Sequence, residues 1–283
     1  MSVKDFNQYI VDASKSNYII PAFNVFGYEY AVGVIDVAEK MKSPVLFMVN
    51  RLAVNSMEIE CWGSMLHHIA RKANVCIEIH LDHMCEIDKI QRAIDSGFTS
   101  VMYDGSQLNI EENIENTRKV VQMARKSGVF VEAEIGSVPY DDMPGEIKDE
   151  LTTATQAKYF ADNSGCDWLA VAVGNIHRLV GRFAPIDFER LHSIGEKLDI
   201  PLVIHGATGI TQADMKRLTA TSVGKVNIGT SLRVAFVNAL KDEINVSPGE
   251  LDSIKLFKKP IEEISKVAQK KIAMLNSVNI IKE

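Results

Sequence analysis

The chain has 283 residues, 46% of them hydrophobic and 24% charged, with a formal net charge of -6. That makeup fits a globular protein with one large core, and without a basic cluster nucleic acid is not an expected partner. No run of eighteen apolar residues predicts a membrane span, and the cysteines (Cys61, Cys76, Cys85, Cys166) form no CxxC pair of the zinc-ribbon or thioredoxin kind.

The N-terminal MSVKDFNQYIVDA lacks a basic segment followed by a long apolar stretch, so no signal peptide is expected and the cytoplasm is the expected location. From there strand-like runs follow at 19–25, 45–49, 75–81, 100–103, 129–135, 168–173, 202–204 and 225–228. Several are almost continuously apolar and β-branched, as parallel strands buried on both faces should be. Amphipathic helical stretches lie between them, for example at 86–96, 110–126 and 184–197. Gly97, Gly128 and Gly165 follow helices where a left-handed C-cap favours glycine, and Asp187 and Thr211 read as N-caps. The stretch 254–276 reads as one amphipathic helix that packs on the barrel or on a second subunit. Eight strand–helix alternations predict an α/β fold, a single-domain (β/α)8 TIM barrel over residues 1–283. An open doubly wound sheet is the rival, but there only one switch point gathers functional groups. Here Asn24, Asp82, His83, Asp104, Glu134, His177, His205 and Asn227 fall at or just past strand ends all along the chain.

His83, His177 and His205 each follow a short apolar run. Alone, any of them could be a satisfied polar residue under a loop. A barrel makes the three strand ends converge, and three neutral imidazoles with one open position describe a catalytic zinc site. Asp82 stands beside His83 as an acid/base candidate. Asp104 and Glu134 are either ordinary rim acids or a second cation seat, and carboxylate oxygens suit a harder divalent ion. Glu132 shares a face with Glu134 and is its candidate supporting partner. His80 lies inside its strand on the face of Asp82 by period-two alternation; His67, His68 and His192 lie on helices. HGATGI after the seventh strand and KVNIGTSL after the eighth are glycine-bearing turns that lead into helices. One such turn could be a tight connection, but two at these positions favour a phosphate seat. The candidate contacts are Gly206, Ala207, Thr208, Asn227, Ile228, Gly229 and Thr230, with Asn24 at the first strand end. Lys225 begins the eighth strand at the opposite rim, so no strand-end lysine suggests a Schiff base.

These segments resemble the class II, zinc-dependent aldolases acting on ketose bisphosphates. The likeness runs in order through PAFNV (21–25), HLDH (80–83), SVMYDGS (100–106), VEAEIG (131–136), AVAVGNIH (170–177), HGATGI (205–210), KVNIGT (225–230) and the C-terminal ISKVAQKKIAMLNS. The resemblance implies zinc on His83, His177 and His205, with Asp82 as catalytic acid/base and Asp104 and Glu134 as secondary metal positions. It also implies the phosphate of dihydroxyacetone phosphate at 206–208 and 227–230, with a monovalent cation, Na+ or K+, nearby. The implied reaction is reversible aldol cleavage of a phosphorylated ketose to dihydroxyacetone phosphate and an aldehyde. Fructose 1,6-bisphosphate and tagatose 1,6-bisphosphate are the leading substrates, and a homodimer or homotetramer is expected.

The chain departs from that family in two places. Arg178 stands where a glycine usually follows the second zinc histidine, and Pro139 and Tyr140 stand where the loop after VEAEIG usually has a glycine pair. Asp141, Asp142 and Glu146 are the candidates for that loop's acidic group. These changes leave open an aldolase for a different, acidic ketose phosphate selected by Arg178, with Arg182 four residues on, or a catalytically impaired sugar-phosphate-binding barrel. A zinc hydrolase with the same three histidines is the remaining rival, but it has no use for two phosphate-cradling turns.

Overall fold

A computed structural model describes residues 6–142 and 150–281. Its strands β1 (Ile20–Asn24), β2 (Val45–Asn50), β3 (Ile77–Met84), β4 (Ser100–Tyr103), β5 (Phe130–Ile135), β6 (Trp168–Val171), β7 (Leu202–Ile204) and β8 (Val223–Ile228) close in sequence order into a parallel barrel. β1 pairs with β8 through Ile20↔Lys225 and Ala22↔Asn227. The expected barrel is therefore the observed one. Among the described residues no helix is long and apolar enough to cross a membrane.

Alternation along the strands sorts the apolar residues into two cores. One face of each strand packs on the surrounding helices, with Phe23, Phe47, Leu81, Val101, Val131 and Leu169 among the buried residues. The other face fills the barrel. Ile20, Ala22, Leu46, Met48, Trp168, Ala170 and Val203 form an apolar plug there, with Phe6, Tyr9, Ile10 and Ala13 of the helix Phe6–Ala13. The i, i+3, i+4, i+7 spacing of those four places them on one helix face. Also buried are His80, Glu132 and Lys225, whose side chains meet one another.

Capping follows the local sequence. Asp187 accepts from Arg190 N and Thr211 from Asp214 N, and Gly97, Gly128 and Gly165 all take positive φ. Three expectations need correction. The C-terminal stretch is two helices, Ser253–Leu256 and Lys258–Met274, rather than one. The second carries Pro260 in its first turn, where a missing N–H loses no helical bond. β3 runs on through His83 to Met84 instead of ending at Leu81. Lys225 does not begin β8; the strand starts at Val223 and Lys225 is fully buried.

Candidate active site

Plain alternation would turn His83 away from the barrel once Asp82 points in. The β3–β4 register shifts between Leu81 and Met84, and His83 takes φ +50. This bulge re-aims one side chain, so adjacent residues both face the interior. His83 then reaches the other two histidines: ring centroids lie 5.1 Å from His177 and 4.7 Å from His205.

His205 follows β7 directly and is fully buried. His177 sits on the loop after β6, and two devices fix that loop. Asn175 accepts from Val173 N and donates to the His205 carbonyl, tying the β6 loop to the β7 end. Residues 139–141 run alongside: His177 N donates to Pro139 O at 2.8 Å, and Asp141 N donates to His177 O at 3.1 Å. Proline is tolerated because only its carbonyl is used. Tyr140 stacks on the His177 ring, with centroids 4.4 Å apart and planes 18° apart.

One nitrogen of each imidazole is left for a metal. His83 Nδ1 lies 2.8 Å from Asp104 Oδ2, leaving Nε2. His205 Nε2 lies 3.0 Å from Glu132 Oε1, leaving Nδ1. His177 Nε2 is buried without a hydrogen-bond partner in the structure, and His205 Nδ1 faces only Glu134 Oε2, at 3.1 Å. Donor atoms of the three histidines lie within 4.8 Å of one another. Buried groups with no partner ask for one, and three imidazole nitrogens suit a zinc-type ion. The residues therefore fit the divalent ion that the fold implies. His83, Asp104 and Glu134 form a second cluster of the same size, with Glu134 Oε2 3.1 Å from His205 Nδ1 and 3.9 Å from His83 Nδ1.

Glu132 does not serve Glu134 as expected. It takes His205 on one oxygen and Lys225 Nζ, at 2.7 Å, on the other. Burial, the largest single effect, would raise its pKa, but the Lys225 ammonium, the hydrogen bond to His205 and the field of His80 together hold it well below the ordinary carboxylate range. Asp82 shows the same balance: burial raises, while the fields of His83, Lys225 and His205 lower further. Its carboxylate stays ionised and accepts from Asn24 Nδ2 at 2.8 Å and Asn227 Nδ2 at 3.1 Å. Burial, then the neighbouring His83 and His205, keep His177 well below its usual pKa, hence neutral, as a metal ligand must be.

Most of the predicted contacts line one cavity: Asn24, Asp82, His83, His177 and Arg178, together with Gly206, Ala207, Thr208, Asn227, Gly229 and Thr230. Ile228 does not line it. The residue after an inward Asn227 faces outward, and Ile228 is buried between strands and helices. Arg178 takes φ +56, the left-handed region that explains why glycine suits this position. Its Nη1 donates to Asp142 Oδ2 at 2.8 Å and its guanidinium lies 4.7 Å from the centre of the Tyr140 ring. Asp141 pairs with Arg182; Glu146 lies outside the described residues.

The sequence reading missed Arg233, Asn50, Phe26 and Tyr140 as lining residues. Arg233 had a signal: it lies three residues after Thr230 on the helix Thr230–Val246, hence on the same face. Asn50 had another, as a polar strand end that caps the next helix through Ala53 N.

Comparison with known proteins agrees with this geometry. Residues 4–280 match the family described as fructose-bisphosphate aldolase class-II. A sulfofructosephosphate aldolase from Alkalicoccus urumqiensis is 34% identical over 242 residues, 84% of each chain. The YdjI aldolase of Escherichia coli K12 superposes with a TM-score of 0.87 at 32% identity, over 98% of this chain and 99% of that one. A Coccidioides immitis protein described as a candidate fructose-1,6-bisphosphate aldolase gives 0.88 at 27% identity, over 99% and 98%.

Proposed function

The chain belongs to the class-II fructose-bisphosphate aldolase family, and from that premise we propose that it reversibly cleaves a ketose 1-phosphate with a second anionic group at its far end. The products are dihydroxyacetone phosphate and an anionic aldehyde. One observation carries this reading: a single cavity is lined by imidazoles of the histidine cluster, the Asp82 carboxylate, both glycine turns and the guanidinium-bearing Arg178 and Arg233.

A divalent ion on His83, His177 and His205, zinc by its donor set, supplies Lewis-acid polarisation of the ketose carbonyl when bound. The chain's own residues do the rest. Asp82 takes the proton from the C4 hydroxyl in cleavage and returns it in condensation. Asn24 and Asn227 hold its two oxygens in place for that transfer. The turns at 206–208 and 227–230 seat the phosphate on backbone N–H groups, so remote binding energy fixes the reacting carbons. Asp104 and Glu132 orient His83 and His205. The cluster His83, Asp104 and Glu134 offers a seat for a second divalent ion, and a monovalent cation near the phosphate belongs to the same reading.

Arg178 and Arg233 suit a phosphate, sulfonate or carboxylate at the sugar's far end. Fructose and tagatose 1,6-bisphosphates meet that requirement, and so does the sulfo-bearing ketose phosphate named for the relative. The test is kcat/KM for these three and for fructose 1-phosphate, which lacks the second anion. The best doubly anionic substrate should exceed fructose 1-phosphate by roughly 10²-fold, the scale of a charge-assisted pair, and Arg178→Gly should narrow the gap. Equal rates would remove the far-end anion from the proposal; no carbon–carbon cleavage of any ketose would leave a sugar-phosphate-binding barrel. A homo-oligomer is also proposed, since Val234, Val237 and Ile244 lie exposed on one helix; light scattering giving a monomer would end that.

A further inference from the structure

The helix Lys258–Met274 buries Ile264, Ala268 and Ile272 toward the barrel. Lys271 shares that face by its three-residue spacing from Ala268. A lysine on such a stripe normally reaches a carboxylate or water. Its helix neighbours do the former: Lys259 pairs with Glu262 and Lys266 with Glu263, both at the surface. The fully buried Lys225 has Glu132. Lys271 has no carboxylate partner among the described residues; its Nζ donates to the Ala207 carbonyl at 3.3 Å. Burial, then the neighbouring Lys270, lowers its pKa to about 8.

The acceptor matters because Ala207 and Thr208 line the cavity while Lys271 does not. The turn therefore lies between the ammonium and the cavity. No peptide here is cis, so the Thr208 N–H is antiparallel to the Ala207 carbonyl and faces away from Lys271. Holding that carbonyl from behind turns an N–H donor toward the ligand. It also places an uncompensated cation behind an anion seat, where screening by water is weak.

We infer that Lys271 is a positioning residue for phosphate: it orients the Ala207–Thr208 peptide and contributes a positive charge whose counter-ion is the phosphate of the substrate. The inference rests on reading residues 206–208 as a phosphate seat.

The experiment compares wild type, Lys271→Met and Lys271→Arg as metal-loaded proteins. It measures kcat and KM for the best ketose phosphate, and Kd for inorganic phosphate by calorimetry. Lys271→Met keeps the apolar stem and should raise both KM and the phosphate Kd about tenfold, the scale of one modest charge contact, while kcat falls less than KM rises. Lys271→Arg should stay within about threefold of wild type on the same scale. Should Lys271→Met fail to fold, Lys271→Gln serves in its place. Binding by wild type that the neutral variant matches within a factor of two overturns the role of Lys271 but not the phosphate seat. Equal losses in the arginine and neutral variants overturn the charge argument. A wild type that binds no phosphate overturns the seat, and this inference with it.

Discussion

Replacing Gly206 by alanine tests whether the histidine cluster and the phosphate turn are mechanically one unit. Gly206 has φ +71, and an added Cβ would sit 2.5 Å from Ile176 O, 2.8 Å from Ile176 C and 3.2 Å from His177 N. The added methyl therefore strikes the backbone that carries His177 rather than filling the cavity. That backbone is already pinned by Pro139 and Asn175. The left-handed conformation costs a non-glycine residue roughly 1–2 kcal/mol. Relieving a contact roughly 1 Å too short in packed surroundings adds roughly 1–3 kcal/mol. For a chain of this size the sum lowers Tm by roughly 3–8 °C. Metal–ligand distances tolerate only about ±0.2 Å, so metal affinity should fall roughly 10–100-fold, as when a ligand's support is lost. Gly128→Ala is the control: φ is +68 there and nothing lies within 4 Å of the new Cβ. It should show the conformational cost alone and keep its metal. Differential scanning calorimetry, with metal content after dialysis against graded chelators, reads both quantities. If Gly206→Ala matches Gly128→Ala in Tm and metal retention, the coupling argument is wrong.

Three further outcomes are expected. Asp82→Ala should retain fold and metal but lose kcat by roughly 10²–10⁴-fold, the range for a positioned acid/base; normal turnover would mean that another group moves the proton. The protein as purified should hold about one zinc per chain, with chelation abolishing carbon–carbon cleavage and His205→Ala failing to restore it on zinc addition; full zinc occupancy in His205→Ala would remove that residue from the site. Lys271 supplies a pH signature, since its pKa of about 8 in the fold lies below its ordinary 10.5. Between those values the unfolded chain binds more protons, so stability of the phosphate-free protein should rise with pH through that window. Lys271→Met should flatten the rise in denaturant midpoint, and an unchanged slope would show that the ammonium is not desolvated.

Local chemistry was legible without the fold. The apolar runs, the caps at Asp187 and Thr211, the glycines at 97, 128 and 165 and the polar strand ends are each decided by a few neighbouring residues. Because a barrel gathers all strand ends on one rim, those signals also predicted which residues would meet: His83, His177 and His205 do. What the sequence could not decide was direction. Period-two alternation sets Asp82 and His83 on opposite faces, and only the β3–β4 register shift turns both inward. Alternation likewise put Glu132 beside Glu134 on β5, but its partners, His205 and Lys225, arrive from β7 and β8 across the barrel. Asn24 and Asn227 read as substrate contacts, yet closing β1 against β8 brings their amides onto Asp82. Tyr140, Arg178 and Lys271 acquire their neighbours in the same way, from segments distant in the chain. Propensity and capping act over a turn or two of backbone, whereas pairing register and barrel closure are set by contacts between segments whose spacing in the sequence carries no geometric information.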